Sequence, residues 1–185
     1  LVVPQVEMIV LNKNSSKSIP VDGFCTEAND KCPKAGGSFS FGKSSDTKLN
    51  KLLTFLDKKK FSEDQIQEAI WCVTDGKSIG NIYGKNDDEL KKKVSEITGR
   101  EIPWQSTKSK LSVDEYQNIV REPVEVKGEI KLSMEKSAMM KSKIIGENGE
   151  LIYQFKREMK MPKSKNITFN FSLRVKGWEK GKYYV

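Results

Sequence analysis

The chain has 185 residues, 33 basic and 25 acidic side chains and a formal charge of +8, which suits one large domain or two small ones. It contains no histidine, which excludes Ser-His-Asp and Cys-His catalysis, His-ligated zinc and imidazole proton relays. Three cysteines alone do not fill a four-ligand zinc site, no phosphate-binding glycine loop is present, and no apolar run approaches the ~20 residues of a membrane-spanning helix.

The charge is unevenly spread. Residues 1–120 hold 18 basic and 17 acidic side chains, whereas residues 121–185 hold 15 and 8, a net of +7. The lysines of the second part are scattered along alternating segments, with no zinc-finger or aromatic RNA-binding motif among them. They read as a solvated face that also protects strand edges, not as a nucleic-acid site.

The chain begins inside a strand-like segment, LVVPQVEMIVL, as expected where a leader has been removed. Val6 to Leu11 reads as a strand and SIPVDGFC as a second extended run ending at Cys25. Residues 26–42 have loop chemistry, with one short strand expected at Ser38–Phe41.

Three helices are predicted next. The first runs from about Asp46 to Lys59, with Leu49, Leu52, Leu53 and Leu56 at helical spacing. The second opens on Ser62-Glu63-Asp64-Gln65, a capping box in which cap and third residue satisfy each other's orphan amides. Phe61 and Ile66 are placed as a hydrophobic staple, Ile66, Ala69, Ile70 and Val73 form the expected buried face, and Gly76 closes the helix. The third begins near Asn86, its Asp87, Asp88 and Glu89 complementing the helix dipole, and ends at Gly99. A short helix is expected after Ser112, Trp104 is expected to pack back on this first part, and a linker is placed around Val120–Pro123.

The remainder alternates with period two. VEVKGEIKLSM is a strand, Asn148-Gly149 between two apolar runs marks a hairpin, and Ile167, Phe169, Phe171 and Leu173 share one face of another strand. The predicted organisation is an α+β domain over 1–120 followed by an all-β, immunoglobulin-like sandwich over 121–185.

Two stretches carry candidate chemistry. In GFCTE, Cys25 follows an aromatic residue. In IQEAIWCVTDG, Ile66-Gln67-Glu68-Ala69-Ile70-Trp71 presents Gln67 and Trp71 one turn apart. Together they resemble the bacterial thioester domain family of surface adhesins, whose motifs are a cysteine after an aromatic or aliphatic residue and a helix pattern of hydrophobic, Gln, any residue, two hydrophobics, Trp. The tail separately resembles small immunoglobulin-like modules of bacterial secreted proteins. The first resemblance implies that the Cys25 sulfur displaces ammonia from the Gln67 carboxamide. The resulting internal thioester is then opened by a nucleophile, usually a Lys amine, on a host or surface molecule. Phe24 and Trp71 would wall the bond from water. The resemblance implies adhesion at an extracellular or cell-surface location, with no cofactor, metal or enzymatic turnover. The chain departs from the family in spacing: 41 residues separate Cys25 from Gln67, fewer than in many members.

Other readings stay open. Cys25 and Cys32 are alternatively a loop disulfide, leaving a non-catalytic extracellular binding module. Cys72 reads as a buried thiol. The tail also contains Lys127, Lys131, Asn166, Asn170, Glu125 and Glu129, the residue types that an acid-catalysed Lys–Asn isopeptide bond would use, but in alternating strands such residues usually face solvent. An enzyme with Cys25 as nucleophile lacks a histidine base.

Overall fold

The computed structural model describes residues 1–4, 10–31, 33, 36–40, 42–57, 59–155 and 158–185. A helical N-terminal part is followed by a β-rich C-terminal part, a mixed α+β architecture. Of the first expected strand, residues 5–9 lie outside the described residues, and Val10 and Leu11 are in no strand. The extended run ending at Cys25 contributes one antiparallel bridge, Val2 to Phe24. Ser38 to Ser40 carry no regular structure, and Phe41 lies outside the described residues.

Helix α1 spans Thr47–Leu56, capped by the Asp46 carboxylate on the amides of Lys48 and Leu49. It stops short of Lys59 because Asp57 turns to an extended backbone conformation. Helix α2 spans Glu63–Thr74, and both bonds of the Ser62–Gln65 capping box are present. Helix α3 spans Asp87–Thr98 and ends on left-handed Gly99. Leu49, Leu52, Leu56, Ala69, Ile70, Leu90 and Val94 close one core with Phe24, and Phe61 and Ile66 pack on its border. The buried face of α2 is wider than its apolar stripe: Gln65, Glu68, Trp71 and Cys72 are buried, whereas Ile66 and Val73 are only partly so.

Three expectations for residues 100–123 are corrected. No helix follows Ser112. Strand β1 covers Gln105–Val113 and pairs antiparallel with β2, Ile119–Met134. Asp114 forms the turn between them by accepting from the amides of Tyr116 (2.9 Å) and Asn118 (2.8 Å), a side-chain turn that competes with helix initiation. Trp104 is exposed and lies against Phe171, ring centres 5.9 Å apart, on the β side. The linker expected at Val120–Pro123 is part of β2. The first strand of the β part therefore begins at Gln105.

Strand β7, Ser164–Arg174, completes the sheet β1-β2-β7. Strands β3 (Ala138–Met140) and β6 (Met159–Met161) pair separately. Strands β4 (Lys143–Gly146) and β5 (Leu151–Gln154) form the hairpin around Asn148-Gly149, with Gly149 at a φ of 81° that glycine holds without strain. Strand β8, Tyr183–Tyr184, joins β4 on its other side. Ile144 of β4 shares a second core with Phe171 and Leu173 of β7, so the two three-stranded sheets bury apolar faces in common. Gly128 of β2 is required by close approach: a Cβ there would stand 2.7 Å from the Phe171 ring.

Candidate functional site

Helix α2 is held at both ends. The capping box fixes its start. At its other end the Arg100 guanidinium donates to the carbonyls of Gly76 (2.8 Å), Lys77 (2.9 Å) and Cys72. The Cys72 carbonyl belongs to the last turn of α2, where helix carbonyls lack partners, so a cation there also answers the helix dipole.

Along this helix lies the segment carrying Cys25. Phe24 exchanges two backbone bonds with Val2, both 2.8 Å, and buries its ring in the helical core. The Cys25 amide donates to Gln67 Oε1 (2.9 Å), and Gln67 Nε2 donates to the Cys25 carbonyl (2.8 Å). Further along, the Ala28 amide donates to Asp75 Oδ2 (2.5 Å), and Lys77 Nζ donates to Asn29 Oδ1 (3.3 Å). Two residues 42 apart in sequence, Cys25 and Gln67, are thus neighbours, and the carboxamide bonds the same residue that carries the candidate sulfur. Cys25 is half-buried. Cys32 lies outside the described residues, so the alternative Cys25–Cys32 pairing does too.

The other proposed wall residue, Trp71, is 2% exposed. It lies four residues beyond Gln67, on the same helix face. Its indole Nε1 has no hydrogen-bond partner among the described residues. The Arg121 guanidinium of β2 sits over the ring, 5.6 Å from its centre. Arg121 also meets the buried Glu68 carboxylate with both nitrogens. Nη2 donates to Oε2 at 2.9 Å; Nη1 approaches Oε1 to 2.5 Å as an ion-pair contact without the alignment of a hydrogen bond. Burial raises the Glu68 pKa, and Arg121 opposes that rise without cancelling it.

Cys72, one residue on, is buried and donates its S–H to the Ser78 carbonyl (3.2 Å). Burial first, then the Glu68 carboxylate, pushes its thiol up to about 12, so it is a neutral core group.

Sequence reasoning picked out Cys25, Gln67, Phe24 and Trp71, and missed Glu68 and Arg121. One signal bears on Arg121: only 4 of the 33 basic residues are arginine. Arginine is the residue suited to forked carboxylate pairing and ring stacking. Two of the four, Arg100 and Arg121, tie onto α2.

A second polar cluster joins α3 to the sheet. Asp87 Oδ2 accepts from Lys91 Nζ (3.0 Å) and from Lys127 Nζ (2.8 Å), and Lys91 also donates to Ser106 Oγ (2.7 Å). Lys127 Nζ stands 4.4 Å from the centre of the Tyr83 ring. The register sets Lys127 opposite Ser172, Lys131 opposite Thr168 and Glu129 opposite Asn170, so neither lysine stands directly opposite Asn166 or Asn170.

Among the described residues, no group of three Cys, Asp or Glu is arranged to hold a metal ion, and no helix is long and apolar enough to cross a membrane. A surface hollow of about 440 Å³ beside Phe55 and Lys93 does not include Cys25 or Gln67 in its lining. Comparison with protein-family models, with curated proteins and with solved structures finds no significant match.

Proposed function

We propose that the chain is a secreted or cell-surface adhesion module that captures a nucleophile covalently through an internal thioester between Cys25 and Gln67. The helical part carries the site. The β part acts as an immunoglobulin-like sandwich that spaces or anchors it. The partner would be a host or surface molecule offering a Lys amine.

The observation that carries this reading is the reciprocal pairing of the Gln67 carboxamide with the Cys25 backbone. Attack of Cys25 Sγ on Gln67 Cδ forms the S–C bond and breaks the C–N bond. The thiol proton leaves on the departing nitrogen as ammonia. The Cys25 N–H, 2.9 Å from Oε1, is the kind of donor that stabilises negative charge developing on that oxygen. Nucleophile and carboxamide are also held by local bonds, which removes much of the entropy of bringing them together. A Lys amine then attacks the same carbon, the S–C bond breaks and the thiol returns.

The competing reading is a passive binding module in which Gln67 only fastens the Cys25 segment to α2. It is favoured by the completeness of the pairing, since both polar atoms of the carboxamide already have partners.

Intact mass of the denatured, non-reduced chain separates the two. The thioester reading expects a deficit of one ammonia, and uptake of one methylamine at Gln67 without reductant. A full mass unreactive toward methylamine would leave the passive module. A deficit of two hydrogens restored by reductant would assign a disulfide instead.

A further inference from the structure

We propose that Arg121, contributed by strand β2, is a positioning residue for the Cys25–Gln67 site: through Glu68 and Trp71 it fixes how α2 presents Gln67 to Cys25. The proposal deepens the thioester reading and takes its functional meaning from it.

Gln67, Glu68 and Trp71 form one patch on α2, because residues three and four apart share a helix face. Arg121 grips two of the three. It meets the Glu68 carboxylate with one hydrogen bond of 2.9 Å and one ion-pair contact of 2.5 Å, and its guanidinium carbon stands 5.6 Å from the centre of the indole ring. The Glu68 side chain is 6% exposed and that of Arg121 26%. Ion pairs buried this deeply are poor sources of stability, since the loss of hydration offsets the attraction. What they supply is a fixed geometry. A helical Trp leans back over the turn that precedes it, here the turn containing Gln67. Pinning the Trp71 ring and the Glu68 carboxylate to the sheet therefore sets the roll of α2 about its axis, and with it the direction of the Gln67 carboxamide. The two bonds of that carboxamide to Cys25, 2.8 and 2.9 Å long, leave little room for a change of roll.

Amide hydrogen exchange on the full chain tests this, with Arg121→Met, Arg121→Lys and the double variant Glu68→Gln/Arg121→Met. The double variant carries no unpaired buried carboxylate, so it removes the grip without stranding a charge. The Cys25 amide, whose acceptor is Gln67 Oε1, is expected to exchange about tenfold faster in Arg121→Met and in the double variant. Arg121→Lys should fall between, because it keeps the charge and loses the broad guanidinium that reaches both Glu68 and the Trp71 ring. The Gly146 amide, bonded to the Glu150 carbonyl in the β4–β5 hairpin, should be unchanged. Unchanged exchange at Cys25 in the double variant would overturn the proposal. An equal rise at Cys25 and Gly146 would overturn it as well, since that is global loosening. The readout does not need the thioester: a wild-type chain of full mass would sink the thioester reading, and the exchange result would still decide the role of Arg121. Where the ammonia deficit is present, methylamine uptake by the double variant should change by the same factor as the Cys25 exchange.

Discussion

Gln67 pairs with Cys25 as one strand residue pairs with another, its carboxamide oxygen taking the Cys25 N–H and its nitrogen donating to the Cys25 carbonyl. A side chain thus does what a neighbouring backbone does in a sheet. Among the described residues, the Cys25 segment has no strand partner beyond the single bridge to Val2. Its polar groups must be satisfied elsewhere, and α2 supplies Gln67 and Asp75 for that purpose.

Gln67→Leu is therefore expected to release the segment whether or not a thioester forms. It removes two hydrogen bonds worth roughly 1–2 kcal/mol together. The change should appear as faster limited proteolysis between Cys25 and Gly42, with α2 still helical by circular dichroism. Gln67→Glu keeps one acceptor and abolishes the ammonia leaving group. Cleavage as slow as in wild type for Gln67→Leu would show that the segment is held by other contacts.

The helices were legible because their signals are local. Ser62 and Gln65 lie three residues apart, Gly99 follows the last apolar position of α3, and Asn148-Gly149 sits between two apolar runs. The pairing of Cys25 with Gln67 was suggested by motif order alone, since nothing local in either segment specifies the other. The polar part of the buried face of α2 was not legible. Glu68 reads as a surface residue until Arg121, 53 positions away, is known to cover it. The stretch 105–120 was misread because Asp114 and Asn118 belong to a turn whose composition also suits a helix start. The lysine pattern concealed Lys91, which is 3% exposed on a helix whose other lysines face water or its margin.

Cys72 should be chemically silent in the folded chain. With its thiol pushed up to about 12, the thiolate is roughly one part in ten thousand at pH 8. Iodoacetamide at that pH is expected to leave Cys72 unmodified until denaturant is added, as read by peptide mass mapping. Labelling of Cys72 at the same rate in native and denatured chains would contradict its burial.

Gly128→Val should disturb the β core. The new side chain would enter the space of the Phe171 ring, which also packs against Trp104. Overpacking of this kind typically costs about 1–3 kcal/mol. A lower urea midpoint is expected, together with changed fluorescence of Trp104, the exposed indole at that contact. Gly128→Val paired with Phe171→Leu should recover part of the loss. An unchanged midpoint for the single variant would mean the ring has room to move.

Acid should weaken the joint between α3 and the sheet before it affects the helical core. Burial opposes ionisation of Asp87, but bonds from Lys127 and Lys91 outweigh it and hold the carboxyl below its usual range. A depressed carboxyl contributes stability that is present above its unfolded pKa, 3.8, and is lost as pH falls through the lower folded value. Glu68 works in the opposite sense. Its pKa is raised, so protonation on the way down through that value favours the folded chain. The expected profile is a stability that holds or rises slightly as pH drops toward 4 and then falls below it. Asp87→Asn should lessen the fall, leaving the smaller share of Asp114 and Glu125, whose carboxyls are also lowered by hydrogen bonds from Asn118 and Ser172, while stranding the buried Lys91 ammonium at a cost of about 3 kcal/mol near neutrality. Lys127→Met leaves Lys91 paired with Asp87, and its partly exposed contact should cost only about 1 kcal/mol. Urea midpoints across pH 2–7 for the three chains measure all of this, and an acid limb that survives Asp87→Asn unchanged would assign the loss to other carboxylates.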